Sequence, residues 1–140
     1  MLVLAGDIGG TRVRFGVFEA TSEGPLVRAR HELRSADHRQ FESALQAGLK
    51  HLEVSQTRLA AVVLGVAGPV RGGRCRLTNL DWALDPHTIS SACGGAPVAL
   101  HNDLSCAAMG TVGVASARLV PLCPGVRRST GVAQVVSVGT

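Results

Sequence analysis

The sequence predicts an α/β fold built on a mixed sheet with flanking helices. Three observations predict it. Residues 2–33 read as three strands joined by short turns, which is how antiparallel strands connect. Phe41, Ala44, Leu45, Gly48, Leu49 and Leu52 recur at the three- and four-residue spacing of an amphipathic helix. Ala60 to Val66 is Val-rich and does not alternate, as expected of a central parallel strand covered on both faces. Antiparallel strands first and alternating helices later make a mixed sheet.

The elements follow in order. Leu2-Val3-Leu4-Ala5 is a short buried strand, broken by Gly6-Asp7-Ile8-Gly9-Gly10-Thr11. Val13, Phe15 and Val17 alternate with Arg12, Arg14 and Gly16, so a half-exposed strand follows and the pair reads as a hairpin. Ser22-Glu23-Gly24-Pro25 turns the chain into a third strand, Leu26 to Leu33. Asp37 and Gln40 have the spacing of a capping box ahead of the helix. After the strand at 60–66, Arg71-Gly72-Gly73-Arg74 reads as a hairpin turn and Cys75 to Thr78 as its return strand. Asp85-Pro86 is an N-cap and first-turn pair for a helix ending at Gly94-Gly95. Pro97 to His101 is a strand, and Asn102-Asp103 starts a helix through about Gly110. Residues 111–116 read as a linker, with further strands expected at Leu119 to Leu122 and Val132 to Val138.

Composition narrows the function classes. The chain has 140 residues, 46% hydrophobic and 17% charged, which excludes a disordered chain and suits one domain. Its net charge is +4, and thirteen of the fourteen basic residues are Arg, scattered rather than clustered. A nucleic-acid surface needs a basic face, often with aromatic platforms, so no nucleic-acid partner is expected. A modest positive charge suits an anionic small molecule. Cys75, Cys93, Cys106 and Cys123 form no CxxC pair and read as free thiols in a reducing compartment. Met1 leads straight into an apolar run too short for a signal peptide, and the apolar stretch Leu59 to Val70 is too short to span a membrane. A cytoplasmic protein without a membrane partner is expected.

Three segments carry candidate chemistry. Gly6 to Thr11 joins two strands, and its glycines let backbone N–H groups approach an anion. Asp7 falls at the strand end, where a carboxylate can hold Mg²⁺ through water, and Thr11 adds a hydroxyl. An ordinary glycine-rich hairpin turn explains the same residues. The segment is neither a P-loop, which needs GxxxxGK, nor GxGxxG. At Leu100-His101-Asn102-Asp103-Leu104-Ser105 a strand ends and a helix begins. Ligands bind outside the carboxyl ends of parallel strands, so Asp103 can accept a hydroxyl proton and Asn102 can orient a neighbouring hydroxyl. Helix capping also accounts for both residues. In Leu77-Thr78-Asn79-Leu80-Asp81-Trp82 the single Trp lies beside polar side chains, as in a sugar site, or is simply a core residue beside a turn.

Taken together, GDIGGT (6–11), GVAGPV (65–70), LTNLDW (77–82), HNDLSCAAMG (101–110) and VSVGT (136–140) resemble the bacterial glucokinase family in order and spacing. These are ATP-dependent sugar kinases of the hexokinase and actin-like ATPase superfamily. LTN before LDW favours this family over the related ROK kinases and repressors, whose cysteine-rich zinc motif is not found here. The resemblance implies an actin-like, ribonuclease-H-like lobe with a five-stranded mixed sheet over 1–112. Residues 113–140 would be a linker and the first strands of a second lobe. It implies transfer of the γ-phosphate of ATP, with Mg²⁺, to the 6-hydroxyl of glucose or a related hexose. Gly6, Asp7, Ile8, Gly9, Gly10 and Thr11 match the first phosphate loop, and Gly139 and Thr140 the start of the second. Asp103 matches the catalytic base and Asn102 its sugar-binding neighbour. Thr78 and Asn79 lie in a segment near the sugar.

The sequence departs from the family in three places. Family chains continue past the second phosphate loop into a larger lobe, whereas this sequence reaches only Thr140. An N-terminal part inactive by itself is expected, from a protein compatible with a homodimer at full length. Arg12 stands where the family commonly has Asn, and His101 where it often has an apolar residue. Two other readings remain open at this stage. One is a ROK-like sugar kinase or sugar sensor. The other is a non-catalytic half-domain that serves as an interaction module.

Overall fold

The structure is a computed structural model that describes residues 1–54 and 59–113, together with 120, 122–123, 132 and 134–136. Strands β1 (Leu2–Ile8), β2 (Arg12–Thr21) and β3 (Gly24–Arg34) form an antiparallel meander. A single 3-10 turn (Ser35–Asp37) leads to helix α1 (Phe41–His51). Strand β4 (Leu59–Val66) returns parallel to β1. The chain then builds a small antiparallel sheet from β5 (Val70–Arg71), β6 (Arg74–Arg76) and β7 (Ala83–Leu84). Helix α2 (Pro86–Ala92) follows, and β8 (Val98–Asn102) pairs parallel with β4. Helix α3 (Asp103–Val112) leaves directly from the end of β8. The main sheet has the order β3-β2-β1-β4-β8, the five-stranded mixed sheet expected.

Side chains of a strand alternate between faces, and the register makes that alternation consistent across the sheet. Leu4, Ile8, Val13, Phe15, Val17, Val62, Leu64, Val66 and Leu100 all point to one face and are buried. Phe41, Ala44 and Leu45 of α1 and Ile89 of α2 close over them. Burying one such side chain contributes roughly 1.5–3 kcal/mol, so this face holds the fold together. Trp82 is 2% exposed and meets the Phe41 ring edge-on, centroids 5.9 Å apart. It is therefore a core residue, which ties the small sheet to α1. The Gly72-Gly73 turn between β5 and β6 has φ of 56° and 76°. Positive φ at both central residues is what a tight hairpin turn requires, and glycine supplies it without strain.

Several local expectations hold. The Asp85 carboxylate accepts from the His87 N–H at 2.9 Å with Pro86 in the first turn, as a cap should. The capping box at Asp37 and Gln40 does not form. Asp37 belongs to the 3-10 turn, and α1 starts at Phe41 after an extended Gln40 that makes no side-chain cap. Ser43 instead donates its hydroxyl to the Gln40 carbonyl at 2.8 Å. The reason is tertiary: Ser35 is held down beside the β1–β2 turn, so the helix begins where Phe41 can enter the core. The return strand expected at 75–78 is β6, Arg74–Arg76, and the two-residue β7 was not anticipated. The strands expected at 119–122 and 132–138 fall partly outside the described residues, and the described ones among them form no strand. Gly139 and Thr140 also lie outside the described residues. No helix among the described residues is long and apolar enough to cross a membrane.

Candidate active site

The second face of the main sheet carries the candidate carboxylates Asp7 and Asp103. Asp7 on β1, Val63 and Gly65 on β4, and Asp103, Leu104, Cys106 and Ala107 on α3 line a cleft of about 660 Å³. Asp7 pairs with Gly65 across the parallel β1–β4 ladder, and Gly65 pairs with His101 just before the β8–α3 junction. The absence of a side chain at position 65 is what lets α3 approach. A Cβ there would lie 3.2 Å from the Cys106 sulfur and 3.7 Å from the Asp103 Cα. Two carboxylates thus face one cleft from the carboxyl ends of β1 and β8, the parallel strands on either side of β4, where ligands bind in open α/β sheets. The Cys106 thiol senses both: burial pushes its pKa up, and the negative charges of Asp103 and then Asp7 push it further the same way.

Asn102 caps α3. Its side-chain oxygen accepts from the N–H groups of Leu104 at 3.2 Å and Ser105 at 3.3 Å. Its amide nitrogen donates to Asp103 Oδ1 at 2.9 Å and, more loosely, to the Gly68 carbonyl at 3.4 Å. Asp103 Oδ1 also accepts the Leu104 N–H at 2.8 Å. Among the described residues, Asp103 Oδ2 has no hydrogen-bond partner. The capping explanation and the functional one are therefore compatible. Capping fixes the Asn102–Asp103 pair in one pose and leaves one exposed carboxylate oxygen for another task.

Asp7 is exposed and held from the opposite side. Arg14 Nη1 donates to Asp7 Oδ2 at 3.0 Å, while Arg14 Nε donates to Glu32 Oε2 at 2.8 Å. Arg12 Nη1 reaches Glu32 Oε1 at 2.7 Å. Glu32 is held below the usual carboxylate range chiefly by its Arg14 hydrogen bond, and Arg14 is raised by Glu32 first and Asp7 second. Arg12 thus joins a surface charge ladder.

The glycine turn between β1 and β2 has its carbonyls turned inward. The Ile8 carbonyl accepts the Ala67 N–H at 3.0 Å, and the Arg12 carbonyl accepts the Gly9 N–H at 3.0 Å. The Gly9 carbonyl accepts the Ser35 hydroxyl at 2.9 Å, and the Thr11 carbonyl the Ser35 N–H at 3.0 Å. Among the described residues, the N–H groups of Gly10 and Thr11 donate to nothing. Unpaired N–H groups in a glycine turn are suited to a phosphate oxygen. Gly6 and Ile8 take packing positions within β1: a Cβ on Gly6 would meet Leu64 at 2.6 Å, and Ile8 is fully buried.

Thr78 and Asn79 are exposed, and Asn79 lies beside the turn. A Cβ on Gly10 would lie 3.4 Å from the Asn79 Cβ. Thr78 donates to Asn79 Oδ1 at 3.3 Å, and no hydrogen bond joins either to Asn102 or Asp103. Ser35 and Cys106 escaped the sequence reading. A Ser after a strand looks like turn material, and a single Cys on a helix looks like packing.

The glucokinase family model matches residues 4–140. The chain belongs to the glucokinase family. It is 34% identical over 122 residues to a glucokinase of Marinobacter nauticus, covering 87% of this chain and 37% of that one. It is 31% identical over 144 residues to a glucokinase of Chelativorans sp., covering 99% and 39%. The chain thus spans about two fifths of the length of these curated relatives. Among solved structures, a glucokinase from an Antarctic psychrotroph superposes with a TM-score of 0.77 at 25% identity, covering 91% of this chain and 40% of that one. A ROK family glucokinase from Streptomyces griseus, in complex with glucose and AMPPNP, superposes with a TM-score of 0.60 at 25% identity, covering 79% and 36%. The expected actin-like α/β architecture is that of these relatives.

Proposed function

We propose that the complete protein transfers the γ-phosphoryl group of ATP to the 6-hydroxyl of glucose, and that residues 1–113 supply the base and the first phosphate loop. The observation that carries this reading is the pair Asp7 and Asp103 facing one cleft across Gly65, with the Gly10 and Thr11 N–H groups, unpaired among the described residues, on the turn that follows β1. Phosphoryl transfer asks little covalent work of a protein. It asks for an oriented nucleophile, a base, and donors on the phosphates.

The geometry supports the following roles. Asp103 Oδ1 is tied to the Asn102 amide and the Leu104 N–H, so the carboxylate cannot rotate freely. Asp103 Oδ2 takes the proton of the sugar hydroxyl. The hydroxyl oxygen bonds to the γ-phosphorus, the bond from that phosphorus to the bridging oxygen breaks, and ADP leaves with that electron pair. The N–H groups of Gly10 and Thr11 donate to phosphate oxygens. The Asn102 amide orients the hydroxyl beside the one that reacts, through the N–H held only loosely by the Gly68 carbonyl at 3.4 Å. Asn79 borders the phosphate turn, and it and Thr78 contact the sugar only if the sugar extends toward Gly10. Asp7 is an exposed hard oxygen donor at a strand end, which fits Mg²⁺ held through water. When bound, that ion supplies charge neutralisation on the phosphates. Gly139 and Thr140 begin the second phosphate loop in this proposal.

Replacing Asp103 with Asn in the complete protein keeps size and capping but removes the base. A fall in kcat of about 10²–10⁴-fold is expected, the range of a general base. Unchanged kcat would overturn the assignment. Catalysis by positioning needs every ligand contact, and this chain spans two fifths of its relatives. Residues 1–140 alone are therefore expected to show no glucose-dependent ATP turnover. Turnover by that piece, abolished by Asp103→Ala, would sink this second expectation.

A further inference from the structure

Ser35 is the one polar residue among the described residues whose side chain lies wholly in the core, at 0% exposure. It sits where β3 gives way to the 3-10 turn, and it makes both of its donor bonds to the glycine turn 24 to 26 residues earlier. Its hydroxyl donates to the Gly9 carbonyl at 2.9 Å and its N–H to the Thr11 carbonyl at 3.0 Å.

The consequence comes from peptide planarity. In a trans peptide the C=O of one residue and the N–H of the next point in opposite directions. The Gly9 carbonyl and the Gly10 N–H belong to one such plane, and the described residues contain no cis peptide bond. Pulling the Gly9 carbonyl inward onto Ser35 Oγ therefore turns the Gly10 N–H outward, where it has no partner among the described residues. The peptide between Gly9 and Gly10 lies outside the β1–β2 ladder and is flanked by the two most permissive residues. Nothing in the ladder prevents it from flipping. The neighbouring Ile8–Gly9 plane is fixed by a backbone bond at each end, Ala67 N–H to the Ile8 carbonyl and Gly9 N–H to the Arg12 carbonyl.

We propose that Ser35 is a positioning residue for phosphate recognition: its buried hydroxyl locks the Gly9–Gly10 peptide with the Gly10 N–H presented to the ligand. The inference rests on the reading of residues 9–11 as a phosphate loop. It adds that the loop's donor orientation is set from β3.

The test is calorimetric titration of the complete protein and its Ser35→Ala variant with ATP, tripolyphosphate, adenosine and glucose. Loss of one locking hydrogen bond is expected to weaken ATP and tripolyphosphate by about tenfold. Adenosine and glucose affinities should stay within about twofold, because neither ligand touches that peptide. A merely structural Ser35 would lower the fraction of binding-competent protein, which changes stoichiometry, and would leave all four affinities alone. Unchanged tripolyphosphate affinity in the variant, or parallel weakening of all four ligands, overturns the proposal. If the parent protein binds neither ATP nor tripolyphosphate, the phosphate-loop reading falls first and takes this inference with it. Should Ser35→Ala fail to fold, Ser35→Cys keeps the volume with a weaker donor and should show the same selective loss at smaller size. Equal affinities there would also overturn it.

Discussion

On one face of the five-stranded sheet, Leu4, Ile8, Val62, Leu64 and Val66 are closed off by α1 and α2. On the other, their sequence neighbours Ala5, Asp7 and Val63 stay at least partly open beside α3, none of whose residues is fully buried. The residues of the two sets alternate along the same strands. The difference shows that a two-residue period is enough to separate the buried face from the cleft: Ala5, Asp7, Val63 and Gly65 line the cleft, and Leu4, Ile8, Val62, Leu64 and Val66 hold the fold. It also explains why the cleft side is lined by small residues. Ala5, Val63 and Gly65 leave room for α3 and for a ligand.

The comparison is sharpest at Asp103. The Asp103→Asn change described above should cost several orders of magnitude in kcat and leave the melting temperature within about 2 °C, since the side chain is exposed. A large loss of stability would mean that the cleft face also carries the fold. Next come two truncations one residue apart. Leu64→Ala removes a fully buried side chain and should destabilise by about 2–5 kcal/mol. Val63→Ala, on the cleft face, should cost only about 1 kcal/mol. Urea unfolding of both variants checks this, and equal costs would erase the distinction between the faces.

A smaller effect is expected where the faces meet. Asn102→Ala removes the α3 cap and should cost about 0.5–2 kcal/mol. Because Asn102 also donates to Asp103 Oδ1, kcat should fall in the same variant. A stability loss with full activity would reduce Asn102 to a cap alone.

The smallest effect concerns the edge of the stabilising face. His31 on β3 stacks on His51 of α1, ring centroids 4.1 Å apart and planes 8° from parallel. His31 Nε2 is buried without a partner among the described residues, and burial, then the neighbouring His51, holds its pKa below the usual imidazole value. Protonation is therefore easier in the unfolded chain than in the folded one. Stability from this pair is complete above the ordinary imidazole value of about 6.5 and declines as pH falls below it. Thermal unfolding across that window should show a fall that His31→Phe flattens. An identical slope in the variant would assign the acid sensitivity elsewhere.

Much of this was legible along the chain because it is local. The strand patterns of β1, β2 and β4, the periodicity of α1, the Asp85-Pro86 cap, the Gly72-Gly73 turn and the Asn102-Asp103 junction each rest on residues within one or two turns of each other. Where a long-range contact competes, local reading fails. Asp37 and Gln40 have capping-box spacing, but Ser35 is drawn under the glycine turn and the helix starts later. The two-residue β7 exists only because β6 lies beside it.

The sequence alone determined the fold class, the family resemblance and the candidacy of Asp103 as a base and of Asp7 as a magnesium-holding carboxylate. Periodicity and short motifs encode those directly. Only the tertiary structure decided that Asp7 and Asp103, 96 positions apart, look into one cleft, that Gly65 is the gap through which α3 approaches, and that Ser35 orients the Gly9–Gly10 peptide. Strand register and close packing set these relations, and both are properties of pairs of residues distant in the chain, which no local pattern records.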